Sequence, residues 1–330
     1  MLAKHVLGRW KYLWAVLAAF ALVANGSKVD GKLLGSSFGC DESTDDPFGY
    51  VVISHSQWDT AAEKSTHRND LFGLVAGADC AWHVDEYSQN SLLRMGVFGG
   101  YLSGKLKCSK DGSHRDSETF LGGIFSTLKH RRTSGLKTNA DASIGFSYAS
   151  NKLHRYYDAQ KELVHTYDST DLFAFGTVTH NLLCYGNWQC GPWMGFNCHR
   201  IQQKKYTDST AYDATYSVAA ADQDLINLTL GISGECEFSG TDRVNRLMRA
   251  HVKLGWGCRP VRPKGDANFS MQGLDAFLPV LGPGNRHFKV ANVGFHYTVN
   301  RYWDIFGSWN GTCSKNFVNN VLVVGASYNF

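Results

Sequence analysis

Proline is scarce in this 330-residue chain, at 6 residues, and charge is thin, at 19%. A disordered chain carries more charge and fewer aromatics than the 13% found here, so most of the chain folds. Net charge is a mild +4 and no basic stripe stands out, so nucleic acid is not an expected partner. No CxxC pair occurs, which argues against a zinc ribbon or a thioredoxin-type site. Nine cysteines are present, an odd count, so at least one has no partner within the chain. The sequence has no G-x-S-x-G, H-E-x-x-H, P-loop or G-x-G-x-x-G. Catalytic residues, a metal and a cofactor are therefore not expected. After the leader, no apolar run reaches the ~18 residues of a spanning helix.

The leader itself is informative. Lys4, Arg9 and Lys11 precede the apolar run Tyr12–Ala24, and the small residues Ala24 and Gly26 close it before Ser27. That order is the order of a secretory signal peptide, and the run is shorter than the ~20 residues of an anchor. Residues 1–26 are expected to direct export, which puts the function outside the cytoplasm.

Beyond residue 47 the chain alternates. Ile226, Leu228, Leu230 and Ile232 oppose Asn227, Thr229 and Gly231, and Met248, Ala250, Val252, Leu254 and Trp256 oppose Arg249, His251, Lys253 and Gly255. Strands turn alternate side chains to opposite faces, and the 34 glycines would weaken helices. This reading predicts about twelve strands, near 49–57, 70–83, 92–106, 118–130, 138–150, 168–181, 185–200, 223–236, 246–258, 286–299, 301–312 and 320–330. Their length exceeds the usual 5–6 residues of soluble strands and suits a membrane crossing of about 9–11. Connections alternate between long polar gaps, such as 151–167 and 201–222, and short turns. The pattern predicts an all-β transmembrane, up-and-down antiparallel β-barrel, with long loops outside the cell and short turns in the periplasm.

The physics behind that choice is strict. Hydrocarbon supplies no hydrogen-bond partner, so a sheet can cross it only by closing on itself. Apolar side chains then face lipid, and polar ones face the enclosed space. Parity places Arg249, His251, Lys253, Asp304 and Asp79 on the enclosed face as candidate lumen-lining residues. Tyr101, Tyr148, Trp256, Tyr297, Trp303, Trp309 and Tyr328 suit interfacial girdles. Lys204, Lys205, Arg259, Arg262 and Lys264 could meet lipopolysaccharide phosphates from outer loops. A soluble secreted barrel holding a small hydrophobic ligand would alternate in the opposite sense, apolar side inward. A barrel enzyme with a rim active site is the weaker alternative; its candidates are His154, Asp158, His165, His199 and Asp208, in or near polar loops.

The ending Tyr328-Asn329-Phe330, preceded by alternating apolar residues, resembles the C-terminal signal of Gram-negative outer-membrane barrels. The pieces LFGLVAGADCAWHVDEYSQNSLLRMGVFGGYLSG (71–104), QCGPWMGFNCHRIQ (189–202), RAHVKLGWGCRP (249–260) and the final hairpin from Asn300 to Phe330 are similar to the autotransporter β-domain. The resemblance implies a type V secretion translocator. Its 12-stranded barrel passes a passenger to the cell surface, sits as a monomer in outer-membrane lipid, and is inserted by the barrel assembly machinery through Tyr328 and Phe330. One departure stands out. Residues 27–47 are too short for an ordinary passenger, contain no β-helix repeats and carry Gly31, Gly35 and Gly39 where the family has a lumen helix. They are expected to be a short passenger remnant or linker ahead of a barrel over 48–330.

Overall fold

The computed structural model describes residues 47–60, 65–83, 91–108, 112–131, 136–158, 161–204, 206–209, 215–218, 221–239, 247–260, 287–300, 302–314 and 317–328. The expected signal peptide, the expected linker except Pro47, residues 261–286 and Phe330 lie outside the described residues.

The described chain is entirely strand and turn. Twelve long strands form a ring: β1 (Pro47–Thr60), β2 (Ser65–His83), β3 (Ser91–Cys108), β4 (His114–Arg131), β5 (Lys137–Asp158), β6 (Lys161–His180), β8 (Trp188–Gln203), β11 (Ala221–Ser239), β12 (Leu247–Cys258), β13 (His287–Thr298), β14 (Trp303–Ser314) and β15 (Phe317–Tyr328). Three short pieces complete the set, β7 (Leu183–Tyr185) folded back on β8, and the hairpin β9 (Tyr206–Ser209) and β10 (Thr215–Val218) between β8 and β11. Each long strand pairs antiparallel with its neighbour in sequence, and β1 pairs with β15 from Phe48↔Ser327 to Trp58↔Phe317. No long strand of the ring is left with an unpaired edge, which removes the cost of bare backbone groups in lipid.

The sense of the alternation is settled by exposure. On β11, Leu230 and Ile232 are 64% and 70% exposed, while Thr229 and Ser233 beside them are 4% and 5% exposed. Phe72, Phe120, Ile144, Leu254, Val293 and Leu322 continue the same outer surface around the ring. Such a contiguous apolar surface would drive aggregation in water, and hydrocarbon is the medium that accepts it. The soluble secreted reading, which needs this surface inside, is overturned.

Aromatics bound the outer band on both sides. Tyr101 packs on Phe120 with ring centroids 4.7 Å apart, and Trp256 stacks on His287 at 4.7 Å, near the ends of strands that lead into the longer gaps. At the opposite end Trp303 meets Tyr328 edge-on at 5.0 Å. There the β13–β14 turn is held by Asn300 Oδ1, which accepts from the backbone N–H of Tyr302 and Trp303 at 2.8 and 3.0 Å.

The expected loop over 151–167 is corrected. β5 runs on to Asp158 and β6 begins at Lys161, so this segment is a hairpin standing above the apolar band. Part of 201–222 is likewise the β9–β10 ladder. Beyond lipid both faces of a strand are wetted, so the apolar/polar alternation stops while the backbone ladder continues. Pattern reading loses the strand where the chemistry of its two faces becomes alike.

Candidate functional site

The enclosed face is the candidate site. It has a region of charge centred on β11 to β13 and an apolar region centred on β2 to β4 with β14 and β15, although β2, β3 and β14 also carry the buried Asp79–Arg94 and Asp304–His296 pairs. On the charged side, parity puts Arg249, His251 and Lys253 of β12 inward while Met248, Val252, Leu254 and Trp256 face out. Arg249 Nε donates to Glu237 Oε2 at 3.1 Å. Lys137 Nζ donates to the same oxygen at 3.1 Å and lies 3.5 Å from Glu235 Oε1. Lys137 belongs to β5 and the glutamates to β11, and β6 and β8 stand between those strands in the ring. These ion pairs therefore cross the lumen as a chord at its periplasmic end. Long side chains bridge the gap because both charges keep partial contact with water.

His251 Nε2 and Asn292 Oδ1 are 2.8 Å apart, and Asn292 Nδ2 donates onward to Asn310 Oδ1. Lys253 lies over the Trp193 ring at 5.9 Å and within electrostatic reach of Asp141 and Glu235. Asp141 in turn accepts from Thr177 Oγ1 at 3.0 Å. Asp304 is buried with His296, their nearest charged atoms 3.9 Å apart. Asp79 is buried 3.5 Å from Arg94 across the β2–β3 pair. Each of these five residues has a partner on another strand.

Trp193 is the organising side chain of this wall. Its indole N–H donates to the Leu254 carbonyl at 3.1 Å, reaching from β8 over β11 to β12. It lies flat because β11 and β12 present glycines beneath it. A Cβ at Gly231 would sit 2.5 Å from Trp193 Nε1, and one at Gly255 would sit 2.7 Å from its ring.

The apolar side was not foreseen. Val75, Phe98, Leu102, Phe125, Phe173 and Phe306 form one buried cluster with Leu121, Val321 and Val323 on the inner face of β2, β3, β4, β6, β14 and β15. The interior is therefore not polar throughout. A second group, Trp193, Phe288 and Val290, receives Leu106 from β3. β3 and β13 are nearly opposite in the ring, so this contact also spans the lumen. The sequence signal was apolar residues at the inward parity, such as Phe98, Phe125, Val321 and Val323, a parity that a barrel reading assigns to polar residues.

The rim candidates separate. His199 Nδ1 pairs with Asp171 Oδ2 at 2.8 Å on the inner face, joining β6 to β8. His165 is buried on β6. His154 sits on the outer face beside His114 and Asp116. The side chains of Asp158 and Asp208 lie outside those described. Tyr328 faces outward among the aromatics of the periplasmic end.

A closed ring of long antiparallel strands, apolar outside and largely polar within, defines an outer-membrane β-barrel. The autotransporter beta-domain family model matches residues 48–310, and the chain belongs to that family. It is an outer-membrane translocator barrel of the autotransporter type. Three solved structures share the fold. The translocator domain of autotransporter NalP from Neisseria meningitidis aligns with a TM-score of 0.65 at 11% identity, covering 100% of this chain and 97% of that one. The β-domain of the Bordetella autotransporter BrkA gives 0.66 at 11% identity, covering 87% and 100%. The transport unit of the autotransporter AIDA-I from Escherichia coli gives 0.59 at 11%, covering 91% and 96%. No curated protein matches the chain.

Proposed function

We propose that the lumen conducts an extended polypeptide segment from the periplasm to the cell surface, sliding between its charged and apolar sides. The observation that carries this is the Lys137–Glu237–Arg249 chord at the periplasmic mouth. A passing chain exposes unpaired N–H and C=O groups, and these ion-paired side chains can exchange partners with them at small net cost. The inner face works by binding and release, not by catalysis, and the His199–Asp171 pair braces two strands. In this reading residues 1–26 direct export and 27–47 are the short remnant or linker that enters the lumen. The barrel assembly machinery reads Tyr328 and Phe330. The barrel acts as a monomer, and Lys204, joined by Arg68, Lys152 and Arg200, outward and exposed beyond the apolar band, meets lipopolysaccharide phosphates. The expected Arg259 is instead buried, its Nε donating to Asn227 Oδ1 at 3.3 Å, and Lys205, Arg262 and Lys264 lie outside the described residues.

An epitope inserted between residues 27 and 47 tests the reading. Intact cells should present it to external protease and antibody while the barrel fractionates with the outer membrane. A folded, outer-membrane barrel whose epitope stays shielded in the periplasm would refute it. Single-channel recording of refolded protein in a planar bilayer supplies the parallel measure of passage.

A further inference from the structure

One cluster lies away from the lumen and outside the translocation reading. His114 opens β4 and His154 lies near the end of β5, directly opposite in the ladder. Their rings stack with centroids 4.3 Å apart and planes 7° from parallel. Both present Nε2 to one carboxylate oxygen, Asp116 Oδ2, at 3.8 Å from His114 and 3.6 Å from His154. The three ligand atoms lie within 4.8 Å of one another. Outward parity continues from this trio down through Glu118 to Phe120 and Tyr148, so it stands on the cell-surface side of the apolar band.

We propose that His114, Asp116 and His154 form a binding site for a borderline divalent transition-metal cation, of which zinc is the type, at the extracellular rim. Two imidazoles and one carboxylate are a donor set for such ions and not for magnesium or calcium, which favour oxygen alone. Metal–ligand bonds of about 2.0–2.2 Å in a tetrahedron put neighbouring ligand atoms about 3.4 Å apart. The two measured separations to Oδ2 exceed that by a few tenths of an ångström, within a small rotation of each side chain. Each ring must turn out of this stack about its Cβ–Cγ bond to aim its in-plane Nε2 lone pair at a shared ion. Three protein ligands leave a fourth position open to water or an external anion. The ion also pins β4 to β5 where the two strands rise above lipid. Lys105 is the competitor: its Nζ lies 3.3 Å from Asp116 Oδ1.

The test uses the full chain refolded in detergent, titrated with Zn²⁺ against a chelating dye. Native heat-modifiable migration on gels is required of every variant. One equivalent should bind, with an X-ray absorption edge reporting imidazole and oxygen ligands. His114→Gln and His154→Gln should each weaken binding by more than about tenfold. Asp116→Asn should weaken it, and Lys105→Ala should tighten it by releasing the carboxylate. Retention of the same equivalent by the His114→Gln/His154→Gln double variant would overturn the proposal. So would sulfur ligands in the absorption spectrum, which would place the ion on cysteines such as the exposed Cys184 or Cys313. An unchanged affinity in Asp116→Asn would remove Asp116 and with it the three-ligand site.

Discussion

The two sides of the lumen wall meet the same lipid but enclose different chemistry. β14, β15 and β2 to β4 turn Phe306, Val323, Val75, Phe98 and Phe125 inward as one packed layer. β11 to β13 turn Glu237, Arg249, His251, Lys253 and Asn292 inward as a hydrogen-bonded layer. On the outer face the two arcs are alike: Leu322 and Val324 on one, Leu230 and Leu254 on the other. The membrane thus constrains only one of the two parities. The enclosed parity is free to vary, and here one arc is mainly a dry wall packed by dispersion and the other mainly a wet wall held by charge, with the Asp79–Arg94 and Asp304–His296 pairs set into the first and Phe288 and Val290 into the second. Side chains of the dry wall lose their packing if they move, while those of the wet wall can trade partners with water or a passing chain.

The largest expected effect is at the seat of Trp193, where the wet wall depends on close packing. Gly231→Ala would drive a Cβ into the Leu254 carbonyl and the indole N–H. Both neighbours are fixed, one as backbone and one by its hydrogen bond to that same carbonyl. The folded, heat-modifiable form should be lost, or stability in urea should fall by about 4 kcal/mol or more. Wild-type stability in this variant would mean that Trp193 does not lie across β11, and the wet wall would lose its organiser.

The next effect sets the walls against each other directly. Phe306, fully buried, should cost about 3 kcal/mol on truncation to Ala, through lost transfer energy and the cavity left behind. Asn292→Ala, in the wet wall, should cost less, about 1 kcal/mol, for the hydrogen bonds it makes with His251 and Asn310. Tryptophan fluorescence during urea unfolding from lipid vesicles reads both. Equal losses would erase the distinction between a dry and a wet side.

Legibility in the sequence divides along the same line. The outer parity was readable from the residues alone, because lipid demands apolar side chains at every second position over a whole crossing. That demand fixed all twelve ring strands and the inward direction of Arg249, His251 and Lys253. The dry wall was hidden because Val321 and Val323 flank Leu322 and Val324, so β15 reads as apolar on both faces and says nothing of an inner cluster. The chord from Lys137 to Glu237 joins residues a hundred positions apart on strands that do not touch. It depends on ring curvature, which no local pattern encodes. The rim trio was missed for a related reason. His154 was visible as a loop histidine, but its partner His114 becomes adjacent only through the β4–β5 register.

The smallest effect on stability concerns that chord and reaches furthest into function. Lys137 and Glu237 are partly exposed, so screening limits what their pairing contributes. A double-mutant cycle of Lys137→Met and Glu237→Gln should return a coupling of no more than about 1 kcal/mol, shrinking with added salt. Arg249 retains part of the coupling in the Lys137→Met variant, since it donates to the same oxygen. Single-channel recording should nevertheless respond strongly. Breaking the chord frees the periplasmic mouth, so either single variant should spend more time in the open level than wild type, and the double variant should match the singles. If open time is unchanged while Phe306→Ala raises it, the dry wall sets the constriction, and the wet wall only lines the path.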